Sequence, residues 1–117
     1  MGKLIIKLFW VLSFISITSC NKDERIIKLL NSKDKEALIL GAYEAGETKK
    51  KKFVPLLLKN ANDPRSTTNI RFKGFTVYQE KMIALKKIFK TEPPVKITDI
   101  PDSIVIIFYT ELYQGSQ

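Results

Sequence analysis

The chain has 117 residues, room for one domain, with 44% hydrophobic and 27% charged side chains. A total of 20 Lys and Arg against 12 Asp and Glu leaves a net charge of +8, which favours anionic partners and says nothing about fold. No histidine and one cysteine exclude an internal disulfide and a cysteine-based zinc site and remove the commonest general base, so no enzyme, metal site or bound cofactor is expected.

The first twenty residues read as a targeting segment. Lys3 and Lys7 sit among residues 1–7 with no acid, LFWVLSFISI follows from Leu8 to Ile17, and Thr18, Ser19 and Cys20 close the run. A basic start, an apolar stretch and small residues at its end describe a secretory signal peptide. Spanning a bilayer takes roughly twenty apolar residues, about twice this stretch. As a helix of the folded domain, the segment would carry Phe9, Trp10 and Phe14 all round instead of on one face.

Ile17-Thr18-Ser19-Cys20 resembles the lipobox of bacterial lipoproteins, with an aliphatic residue at −3, small residues at −2 and −1, and cysteine at +1. The resemblance implies cleavage between Ser19 and Cys20, a diacylglycerol on the Cys20 sulfur and an acyl chain, so that Cys20 becomes the lipidated N-terminus. Two or three such chains hold a protein on a bilayer where one binds only marginally. The alternative leaves an unpaired thiol in an oxidising compartment. Residues 1–19 are then the cleaved signal peptide, 20–23 a lipidated tether and 24–117 the folded domain. Asn21-Lys22-Asp23-Glu24 is similar to the export signal of some Gram-negative surface lipoproteins. The expected location is the bacterial cell envelope at the outer membrane, on its surface or its periplasmic face.

Beyond the tether the apolar spacing is helical. Ile26, Ile27, Leu29 and Leu30 form one face, with Asp23 and Glu24 at the N-terminal end where the helix dipole favours acids. Ser32 to Lys35 opens a second helix from Asp34 to about Ala45, with Gly46 as its C-terminal cap. Thr48 caps a third helix to about Asn60, within which Pro55 marks a bend or a late start. Asn60 to Arg65 is a turn and 66–74 a loop. Phe75 or Thr76 begins a fourth helix to about Lys90, ended by Thr91-Glu92-Pro93-Pro94. Asp99 or Asp102 caps a fifth helix through Tyr113, although the β-branched run Ile104 to Tyr109 also suits a strand.

Two helical hairpins in series invite a search for a repeat. Phe53-Val-Pro-Leu-Leu-Leu58, then Asp63-Pro64-Arg65, then Val77 with Ala84-Leu85 and Ile88, resembles a HEAT-like repeat. Ala37, Leu40, Gly41 and Gly46-Glu47 are similar to the second helix and exit turn of a preceding one. The loop 66–76 is longer than the family's tight turn, and Tyr78 and Lys81 replace its Arg and Ala. The resemblance implies an all-α fold, a short α-α superhelix of stacked hairpins, and a surface for partner binding; a small helical bundle is the alternative.

Two basic segments are candidate surfaces. Lys49, Lys50, Lys51 and Lys52 oppose the dipole of the third helix, so helix stability does not explain them, although Glu44 and Glu47 lie near enough to balance a solvated corner. In the loop, Arg71 and Lys73 interleave with Phe72 and Phe75, a pattern also used against nucleic acid. An exported lipoprotein seldom meets nucleic acid, so Phe72 and Phe75 are expected on the core and no nucleic acid as a partner. The expected function is a non-catalytic, membrane-anchored module that binds a protein. The alternative is an envelope protein whose lysines engage anionic lipid or polysaccharide. Glu44, Asp63 and Glu80 are the carboxylates an enzyme would use, and their spacing suggests no shared cleft.

Overall fold

Short polar side chains open three helices in the computed structural model of the chain, which describes residues 21–72 and 74–117. Asp34 accepts from the Ala37 amide at 3.1 Å, Thr76 from the Gln79 amide at 3.0 Å, and Asp102 from the Ile104 amide at 2.9 Å. Each relieves an unpaired N–H of a first turn. The Gln79 side chain accepts in return from the Thr76 amide, closing a capping box. The elements are α1 (residues 21–30), α2 (Lys35–Thr48), a 3-10 turn (Lys51–Phe53) leading into α3 (Val54–Leu58), a second 3-10 turn (Ile70–Phe72), α4 (Val77–Phe89) and α5 (Ser103–Gly115). Among the described residues β pairing is limited to one bridge between Ser66 and Thr76, so the fold is all-helical. The 102–113 segment is helix: Asp102 caps it, and its β-branched residues spread around a helical surface with Val105 and Tyr109 fully buried.

Cross-helix pairs set the directions. Arg25 of α1 meets Glu44 of α2, and Leu29 meets Gly41, so α1 and α2 run antiparallel. Lys59, just past α3, meets Lys81 near the start of α4, while Lys51 lies over the Phe89 ring near its end, so the second pair is antiparallel too. A broad helix contact joins α2 to α4, which run the same way, Gly46 beside Ala84 and Glu47 beside Lys87. Two hairpins therefore stack through their second helices. Phe53, Val54, Leu57, Tyr78, Met82, Leu85, Val105 and Tyr109 fill a shared core with Ile26 and Leu30 of α1. The Tyr109 hydroxyl donates to the Thr91 carbonyl at 2.9 Å, tying α5 to the end of α4; burial pushes this phenol up to about 12.

Three expected helix ends lie elsewhere. Gly46 is no cap: α2 continues past it to Thr48, because a Cβ at 46 would stand 3.0 Å from the Ala84 Cα, and the residue is needed for close helix approach. The left-handed cap is Lys49, at φ 57°. Thr48 caps nothing downstream; its hydroxyl donates back to the Ala45 carbonyl at 2.8 Å. The third helix is one short α-turn. Pro55 lies in its first turn, where its missing N–H costs nothing, and the chain ahead of it takes a 3-10 turn.

The loop 66–76 is held down at several points. Thr67 is buried and donates to Glu36, its amide donates to the Phe75 carbonyl at 3.3 Å, and the Val77 amide donates to the Arg65 carbonyl at 2.9 Å. Phe72 is buried in a second small cluster with Leu38, Ile39 and Val77, and Phe75 is half-buried.

Candidate functional site

The antiparallel hairpins divide the molecule into two ends. One carries the turns 31–34 and 59–65. The other carries the beginning of α1, the C-termini of α2 and α4, and the lysine run. Ser19 and Cys20, with the rest of the expected signal segment, lie outside the described residues, as does Lys73. The helix that follows Cys20 begins its described course at residue 21.

The four lysines do not share the first turn of a helix. Lys49 closes α2, Lys50 is extended, and Lys51 and Lys52 form the 3-10 turn. Their acidic counterpart is Asp23, 8% exposed: Lys50 Nζ bonds both of its oxygens at 3.1 Å, and Lys52 Nζ one at 2.9 Å. The bonds from Lys52 and then Lys50 hold the Asp23 carboxyl below the usual carboxylate range. Glu44 and Glu47 serve other cations, Arg25 and Lys87. Lys51 rests 6.0 Å from the Phe89 ring centre and Lys52 5.7 Å from that of Phe53.

Residues absent from the sequence expectation join this end. Lys49 shares an open cleft of about 370 Å³ with Lys86, Lys87 and Lys90. Lys86 pairs with Glu92 at 2.9 Å and Lys87 with Glu47 at 3.0 Å. The signal lay in the spacing of 86, 87 and 90, which share the last turn of a helix. Lysines there also complement the negative helix end. Arg71 belongs to the same strip through Tyr43, whose ring lies 5.3 Å from the Arg71 guanidinium and 5.5 Å from Lys87 Nζ.

The three carboxylates singled out from sequence occupy separate environments. Glu44 pairs with Arg25 and Asp63 with Arg65, whose bonds hold the Asp63 carboxyl below its ordinary value. Glu80 is 6% exposed beside Tyr43, Arg71 and Phe72, and its Oε2 has no hydrogen-bond partner among the described residues. Burial pushes its carboxyl up.

A further surface is apolar. Ile100 is 70% exposed, and Ile104 and Ile107 of α5 are 52% and 54% exposed. Three residues apart on a helix, Ile104 and Ile107 are neighbours on one face. Among the described residues no helix is long and apolar enough to cross a membrane. No protein-family model, curated protein or solved structure matches the chain.

Proposed function

We propose that the chain is a lipid-anchored, non-catalytic helical module of the bacterial cell envelope, related to HEAT-like repeats, that docks a protein partner on the outer face of α5. The lipobox supports the anchor. The observation that carries the docking is the exposed apolar edge of Ile104 and Ile107 on the last helix of the stack, with Ile100 just ahead of that helix. A helix that merely ends a stack presents a polar outer face, whereas the first turns of this one expose Ile104 and Ile107 ahead of Glu111 and Gln114. The fitting partner offers an apolar helix face, since hydrophobic burial is the gain available there. A photo-crosslinker at Ile104 or Ile107 of the lipidated protein, activated in membranes, tests this. One dominant adduct with a different protein, lost when the other isoleucine is changed to Lys, is expected. No adduct, or adducts between copies of this chain alone, contradicts it.

A second reading is favoured by the bonds of Lys50 and Lys52 to Asp23, three residues beyond Cys20. They put lysines at the end of the domain where the lipid would be attached, and each lysine near an anionic surface adds about 1 kcal/mol of attraction. On this reading the lysines press the domain onto anionic headgroups or lipopolysaccharide phosphates. Binding to anionic vesicles then falls with salt and with substitution of Lys49 to Lys52 by Gln; binding that survives both contradicts it.

A further inference from the structure

The most deeply buried cation of the described chain lies at the other end. Lys81 of α4 is 2% exposed, yet it lines a cleft of about 310 Å³ between the two hairpin turns. Its ammonium has three protons to donate. One goes to the Lys59 carbonyl at 2.8 Å, where it caps the end of α3. The acid in the cleft, Asp63, is already taken. Arg65 Nε bonds its two oxygens at 3.0 and 3.1 Å, an Arg65 terminal nitrogen bonds one at 2.7 Å, and the Arg65 amide adds a fourth bond at 3.0 Å.

Among the described residues, then, two of the Lys81 donors have no protein acceptor, and the cleft around them is basic. Lys33, Lys59 and Arg65 line it with Lys81, against Asp63 alone, and Asn60 adds an amide. A buried cation is costly unless paired, and an anion from solution would complete this one. We propose that the cleft binds the oxyanion group of a small molecule, a carboxylate or a phosphate, with Lys81 donating to it from within and Lys33 and Lys59 at the rim. Burial, only partly offset by the Asp63 charge and helped by Lys59 and Arg65, brings the Lys81 ammonium down to about 8, and a bound anion works against that shift. The site needs no lipid anchor, and Asn60 lines both it and a neighbouring groove with Ile107 of α5.

The test is carbon NMR of the lysine side-chain Cε groups in the full-length chain in detergent. Inorganic phosphate and succinate are titrated separately against chloride at constant ionic strength. The Lys81 resonance should respond to one or both probes, its titration midpoint should move up by about one unit, and the order of affinity tells phosphate from carboxylate. In Lys81→Met the affinity should fall at least tenfold, while Lys96→Gln, an exposed lysine outside the cleft, leaves it unchanged. Should Lys81→Met not fold, the wild-type midpoint decides alone. A Lys81 resonance indifferent to both anions, or a response confined to Lys49 to Lys52, overturns the proposal.

Discussion

Gly46 sits where two backbones nearly touch, and its missing side chain is what lets α2 lie against α4. A Cβ there would approach the Ala84 Cα to 3.0 Å, and backbone yields less readily than a flexible side chain. Gly46→Val should therefore destabilise the fold by about 1–3 kcal/mol, read from denaturant midpoints. The same α4 buries two charges that titrate in opposite directions. Glu80 has its folded value raised by burial, so its contribution is full below the unfolded value near 4.5 and is lost as pH climbs through the folded one. Glu80→Gln should accordingly gain stability relative to wild type near neutral pH. Lys81 has its folded value lowered to about 8 from 10.5, so the unfolded chain holds more protons in that window and stability rises with pH across it. Lys81→Met should flatten that rise, on the order of 2 kcal/mol, in stability measured from pH 8 to 10.5.

At the level of elements, ends matter more than interiors. Lys49 and Lys90 end α2 and α4 at φ 57° and 53°, in the left-handed region that favours glycine. Lys49→Gly and Lys90→Gly should each stabilise by about 1 kcal/mol in thermal unfolding. If the lysines serve attraction to an anionic surface, the same variants lose vesicle binding while gaining stability. Asp102→Ala should cost about 1 kcal/mol and speed amide exchange in the first turn of α5. Such caps are why α4 and α5 were legible from sequence: Thr76 and Asp102 act on amides two or three residues away. Gly46 was not, because whether a glycine ends a helix or lets a neighbour in depends on Ala84, 38 residues on. The third helix was drawn too long for a related reason. Its apolar run continues through Leu58, but Pro55 sets where the α-turn can begin.

Across the whole molecule, two stacked hairpins separate chemistry by distance. One end gathers Asp23, the lysine run and the last turn of α4; the other holds the cleft of Lys81; α5 lies at the edge with Ile104 and Ile107 outward. The lysine run was visible in the sequence as charge density. Its partner was not, since Asp23 read as a helix-start acid and pairs with Lys50 and Lys52 only when α1 folds back along the hairpin. The burial of Lys81 depends on the turns that close over it, which no local spacing on α4 reveals. The proposed lipid anchor at Cys20 decides where this fold would work. Intact-mass and peptide mass spectrometry of the chain extracted from membranes of the expressing bacterium tests it most directly. The account predicts a mature chain beginning at Cys20, with a diacylglycerol on its sulfur and an acyl chain. A chain that retains Met1, or one whose Cys20 carries no lipid, contradicts it.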